Sequence, residues 1–265
     1  MYVYKMYNRC LLRVCMKSIA VHLQKGGVGK TSLSGALAFE LSKKGRTILI
    51  DVDPQGNSSS WHLTATPEHE LADVLDGTII ASEAIVSTGI PNFDMLPTFG
   101  LDGSLKAYGE NKLANEPFIF QDLRDELIRL GYDYAVYDLS PGMGRLEKSA
   151  LLAVGEVITP IIPEYFSLDG LETFAFELDR LKKALRYAPE HKIVIVNAFD
   201  ARIAQHRSVS AQADEIRGKQ VYRIPVDPAI RKAQAAHIPI QNLPREEAPK
   251  PETIVSLSSI VEAIA

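Results

Sequence analysis

The stretch that most limits how this chain can fold is Lys25-Gly26-Gly27-Val28-Gly29-Lys30-Thr31-Ser32, a glycine-rich loop between two apolar segments. Ahead of it, Ser18-Ile19-Ala20-Val21-His22-Leu23 predicts a short buried strand. Behind it, Leu33, Leu37 and Leu41, with Ala36 and Ala38, recur at helical spacing. Strand, glycine turn and helix together make a backbone cradle for phosphate. Glycine reaches angles that let successive N–H groups converge on an anion, and a helix start adds the positive end of its dipole. In such a cradle Lys30 is placed to reach β and γ phosphates, and the Thr31 hydroxyl to ligate magnesium. Strict phosphate-loop spacing asks for glycine six residues before Lys30, where Gln24 stands, and Lys25 adds a second lysine to the loop.

At 265 residues the chain is long enough for one large α/β domain with a well-buried core. No apolar run approaches the ~20 residues of a membrane span. A net charge of −4 excludes a globally basic binder, so any nucleic-acid contact needs a local patch that weakens with salt. Cys10 and Cys15 are the only cysteines and make a poor metal pattern; they read as plain thiols in a reducing cytoplasm. Residues 1–15 carry Lys5, Arg9 and Arg13, no acid, and three tyrosines. They read as a basic leader, disordered or not translated, with Met16 as the start; the other reading is an arm touching DNA or a membrane. Residues 16–265 read as a single domain.

Carboxylates follow the loop at strand ends. Thr47-Ile48-Leu49-Ile50 predicts a strand running into Asp51-Val52-Asp53-Pro54-Gln55, and Asp133 to Asp138 another, followed by Leu139-Ser140-Pro141-Gly142. Acids there lie where a nucleotide's terminal phosphate would be. Hydrolysis needs one group to orient the attacking water and one to complete the metal shell. Further strands are predicted at Phe93-Asp94-Met95-Leu96, at 157–163 and at 192–197, and helices at 71–75, 121–130, after Leu171 and at 253–261. Alternating strands and helices argue for a parallel sheet covered on both faces.

KGGVGKTS resembles the deviant Walker A motif of the ParA/MinD family of ATPases. The likeness continues through the Asp51–Gln55 switch, the Walker B-like strand ending at Asp138, and Glu164-Tyr165-Phe166-Ser167-Leu168-Asp169-Gly170-Leu171. It implies an α/β, single-domain P-loop NTPase that binds ATP and Mg2+ through Lys25, Gly26, Gly27, Val28, Gly29, Lys30, Thr31 and Ser32. It further implies that Lys25 reaches the nucleotide of a second copy. It assigns the activation of water to Asp53 with Asp51 as support, and the metal to Thr31, Asp53 and Asp138. Where the family usually has two prolines after the Walker B acid, Ser140 stands in place of the first. Asn197, Pro225 and Asp227 fall where the family surrounds adenine.

Residues 197–232 carry seven basic against four acidic side chains. This matches the region where partition ATPases hold DNA nonspecifically, and it nominates Arg202, Arg217, Arg231 and Lys232; a merely solvated face is the rival reading. The implied cycle is an ATP-dependent homodimer on nonspecific double-stranded DNA, cytoplasmic and nucleoid-bound with ATP, whose weak hydrolysis a ParB-like partner stimulates. Stable membrane association is not expected, because the tail from Pro251 has no lysine or arginine. A MinD-like membrane-cycling ATPase, an iron–sulfur relative and an ATP-binding switch with little hydrolysis are the alternatives.

Overall fold

In the computed structural model, which describes residues 16–113 and 116–265, the apolar segments assemble into one eight-stranded sheet. The strands are β1 (Lys17–Val21), β2 (Thr47–Val52), β3 (Val86–Ile90), β4 (Phe93–Leu96), β5 (Tyr134–Leu139), β6 (Glu156–Ile161), β7 (Glu190–Phe199) and β8 (Gln220–Pro225). They lie in the order β3-β4-β2-β5-β1-β6-β7-β8, and every neighbouring pair is parallel except β3 with β4. The leader, with Cys10 and Cys15, lies outside the described residues.

Between the strands run α1 (Lys30–Ser42), α2 (Asn57–His62), α3 (Leu71–Leu75), α4 (Ala81–Ala84), α5 (Leu105–Asn111), α6 (Ile119–Arg129), α7 (Arg145–Ala153), α8 (Ser167–Leu185), α9 (Ala204–Asp214), α10 (Ala229–Ala235) and α11 (Pro251–Ile264). Successive strand residues point to opposite faces, so a strand buried on both sides must be apolar throughout. β2 is buried at every position. Ile48, Ile50, Val194 and Val196 meet α3 to α9 on one face. Leu49, Ile193 and Ile195 meet α1, α2, α10 and α11 on the other. The amphipathic tail packs as expected, with Thr253, Leu257, Ile260, Val261 and Ile264 buried. Among the described residues no helix is long and apolar enough to cross a membrane.

Several elements are not among those the sequence predicts, including α2, α4, α5, α9 and α10 as well as β3 and α7. β3 forms an antiparallel edge hairpin with β4, turning at Asn92 in the left-handed region (φ 60°). Its Val-Ser-Thr-Gly-Ile sequence is short, and only half-buried. α7 was also unassigned, since its first turn is charged.

His22, immediately after β1, is fully buried, and neither ring nitrogen has a partner among the described residues. Its ring stands edge-on to Phe174 of α8, centroids 5.1 Å apart. Burial, then the Lys30 charge, push its pKa down to about 3. Burial likewise holds His62 down to about 4 and, with Lys219, His191 to about 3. The unfolded chain protonates these rings near 6.5 while the folded one does not. Folding stability is therefore complete above 6.5 and falls on acidification toward the folded values, by up to about 1.4 kcal/mol per pH unit for each histidine. His22→Leu removes one such group, so urea melts should find the variant close to wild type at pH 7 and the more stable of the two near pH 4.5. Parallel loss in both proteins would show that His22 is not held neutral.

Candidate functional site

The glycine loop leaves β1 and enters α1 through Gly27 (φ 74°) and Gly29 (φ 93°), both in the left-handed region that glycine enters without strain. Among the described residues no side chain caps α1, which leaves its first amides without a side-chain acceptor. Asn197 on β7 closes the loop from behind, its Nδ2 donating to the Val28 carbonyl at 2.9 Å. A β-carbon at Gly29 would lie 2.2 Å from that nitrogen, so a larger residue there would displace the Asn197 amide and be strained at this positive φ. The loop residues Gly26, Gly27, Gly29, Lys30, Thr31 and Ser32 line a cavity of about 440 Å³ together with Asp53, Gln55, Asn57 and Pro141.

The two lysines part company. Lys30 is buried and turns inward, Nζ donating to the Lys25 carbonyl at 2.8 Å. Burial lowers its pKa, against the opposing pull of Asp138 and Asp53. Lys25 turns outward, where Nζ meets Glu164 Oε2 at 2.8 Å and Ser167 Oγ at 3.5 Å.

Strand register places Asp51 of β2 directly beside Asp138 of β5, and both are buried. Hydroxyls serve both carboxylates: Ser59 N and Oγ donate to Asp51 Oδ2 at 2.8 and 2.7 Å, while Ser34 and Ser58 donate to the two Asp138 oxygens at 2.9 and 2.6 Å. Burial first, then the Asp138 charge, raise the Asp51 pKa. Asp138 is raised mainly by burial, and hydrogen bonds from Ser58, Thr31 and Ser34 hold it down. Asp53 lies at the cavity wall, with the Gln55 amide donating to its Oδ1 at 2.9 Å. Burial raises its pKa, and the Gln55 bond and Lys30 restrain it. The serines and Glu164 were missed in the sequence; only Glu164 carried a signal, as the first residue of the quoted segment.

Residues 16–191 match a family model described as an AAA domain. The chromosome-partitioning ATPase Soj of Thermus thermophilus is 32% identical over 228 residues, covering 85% of this chain and 86% of that protein. The chain belongs to the ParA/Soj family of partitioning ATPases. Its fold is shared with apo McdA from a Cyanothece species, at a TM-score of 0.81 and 18% identity over 94% of this chain and 99% of that one. A plasmid partition protein from Borrelia burgdorferi, solved with AMPPNP, superposes at a TM-score of 0.77 with 21% identity, covering 94% and 98% of the two chains.

Family likeness placed further residues at this site, and the structure sorts them. Pro225 ends β8 in register with Phe199, at the same sheet end as the loop. Asp227 is buried, and its carboxylate is taken up within the protein: it accepts from Ala229 N at 3.0 Å, Lys250 N at 2.8 Å and Thr253 Oγ1 at 2.7 Å. It ties the start of α10 to the start of α11. The arginines do not form one patch. Arg202 precedes α9 and Arg231 and Lys232 lie in α10, after the carboxyl ends of β7 and β8, whereas Arg217 precedes the start of β8 at the opposite end of the sheet. Arg202 is held by Asp200 and Lys232 by Glu247.

Removing a buried carboxylate with three donors leaves those donors unpaired, at roughly 1–3 kcal/mol in total for such a change. Asp227→Ala should therefore lower the melting temperature by several degrees while changing nucleotide affinity less than threefold. A tenfold loss of affinity with an unchanged melting temperature would make Asp227 a ligand contact instead.

Proposed function

We propose that this chain is an ATP-dependent DNA-partitioning ATPase that dimerises on ATP, binds DNA nonspecifically and hydrolyses ATP when a ParB-like partner stimulates it. The observation that carries the reading is the setting of two lysines on opposite sides of one glycine loop, Lys30 under the cradle and Lys25 outside it. The loop amides and Lys30 take the phosphates. Lys25 leaves Glu164 to reach the nucleotide of a second copy.

The cradle fits a magnesium–nucleotide complex: left-handed glycines leave room for phosphate, and hydroxyl and carboxylate oxygens converge beside it. Thr31 would ligate the ion, with Asp53 and Asp138 serving its shell. Magnesium, when bound, supplies positive charge against the phosphate oxygens. Among the described residues no three His, Cys, Asp or Glu side chains group to hold a metal unaided, so the ion depends on the phosphates for ligands. Asp53 orients the attacking water. Asn197 and Pro225 border the base, with Asp227 acting from behind by fixing the Pro228 segment. Intrinsic hydrolysis is weak.

Arg202, Arg231 and Lys232 contact DNA phosphates without reading bases; Arg217, at the far end, belongs to a second surface if it contributes. The protein is cytoplasmic, nucleoid-bound with ATP, and without stable membrane association, since α11 spends its apolar face on α1 and β8. The names of its relatives support this reading, as does AMPPNP in the Borrelia structure.

The test is retention on nonspecific double-stranded DNA with ATP, ADP or no nucleotide. Retention should require ATP, fall steeply with salt and vanish in Lys30→Ala, whose ATP affinity should drop at least tenfold. ATP-driven dimerisation without DNA retention would favour the MinD-like alternative, and liposome pelleting would then decide it.

A further inference from the structure

The loop after β5 is closed by two side chains that stand out little in the sequence. Ser140, two residues past Asp138, donates its hydroxyl to Glu147 Oε1. The Gly144 amide donates to the other oxygen, Oε2, at 2.7 Å. The Gly142 amide in turn donates to Ser140 Oγ at 3.2 Å. One carboxylate thus gathers both ends of the loop 140–144 and, through Ser140, its middle.

Glu147 is only 6% exposed and Ser140 9%. A carboxylate is buried at such a place only when its lone pairs are used. A glutamate serving merely as a helix cap needs the bond to the Gly144 amide alone. Here the second oxygen reaches back across the loop to the strand end that carries Asp138. The loop so closed bears Pro141, which lines the phosphate cavity alongside Asp53.

We infer, resting on the ATPase reading above, that Glu147 is a positioning residue for hydrolysis: through Ser140 and Gly144 it fixes the loop that holds Pro141 against the cavity. Glu147 does not itself line the phosphate cavity. Its effect passes through backbone shape, so it acts on the chemical step far more than on nucleotide affinity, which the glycine loop and Lys30 supply.

Four variants separate this from simple capping. Glutamine at 147 can accept the Gly144 amide with Oε1 and donate from Nε2 to Ser140 Oγ, a hydroxyl that accepts as well as donates. Glu147→Gln should therefore keep single-turnover ATP hydrolysis within threefold of wild type. Glu147→Ala and Ser140→Ala should each slow it at least tenfold, with nucleotide affinity changed less than threefold. Ser140→Ala/Glu147→Ala should be no slower than the slower single variant, because both changes open one clamp. Hydrogen exchange at the Gly142 and Gly144 amides should quicken at least tenfold in the alanine variants. Should Glu147→Ala fail to fold, Ser140→Ala still carries the test.

Wild-type hydrolysis by Ser140→Ala, with Glu147→Ala merely less stable, would reduce Glu147 to a helix cap and overturn the inference. If wild type and Asp53→Ala hydrolyse equally poorly, the ATPase reading itself has failed and the positioning role falls with it. Faster amide exchange would then report a structural clamp only.

Discussion

A loop that offers its backbone N–H groups to a polyphosphate cannot spend them on itself, so its shape has to be imposed from outside. In this chain the restraints act on carbonyls. Asn197 takes the carbonyl of Val28 and Lys30 that of Lys25, while α1 begins without a side-chain cap. Both ends of the loop are anchored by burial. β1 lies between β5 and β6 at the middle of the sheet, and α1 is buried along nearly its whole length, packed against the sheet on one side and α11 on the other. The C-terminal helix is thus part of the scaffold of a loop more than two hundred positions earlier in the sequence, and the three bonds of Asp227 fix where that helix starts.

The same central position brings Asp51 and Asp138 into register on neighbouring strands, about 5 Å apart by ordinary strand spacing. Burial raises the pKa of both carboxylates, and the neighbouring Asp138 charge raises Asp51 further. The hydroxyls of Ser34, Ser58 and Ser59 act against this by donating to the charged forms. A cation at the proposed magnesium position would complete that compensation, since opposite charge favours the ionised carboxylate. The cost of gathering acids without a cation is one physical reason such a site works best when loaded.

What could be read from the sequence was set by how local each cause is. Glycine angles, strand apolarity and helical spacing act over a few residues, so the loop, β1, α1, β2 and β5 were legible, and the family likeness supplied the order of parts. Pairings decided by the third dimension were not. Ser140 and Glu147 meet only because the loop turns back on α7, and nothing in Asp227 by itself says that Lys250 and Thr253 will be its donors. The run of arginines looked like one patch because sequence proximity stood in for space. A parallel crossover reverses direction between Arg202 and Arg217, placing them at opposite ends of the sheet.

The contrast between the two lysines gives the proposed cycle its direction. Lys30 lies where burial already disfavours its charge, so an anion in the cradle relieves a penalty the folded protein carries throughout. Lys25 is about a third exposed and Glu164 more than half, and a pair in that setting holds with roughly 0–1 kcal/mol. Breaking it opposes dimerisation only slightly, yet while intact it keeps Lys25 folded back onto its own subunit. In the proposed dimer, a nucleotide phosphate on a second copy would offer a stronger, more desolvated partner than Glu164 does. Occupancy of the facing cradle, more than the strength of the resting pair, would therefore decide when Lys25 lets go.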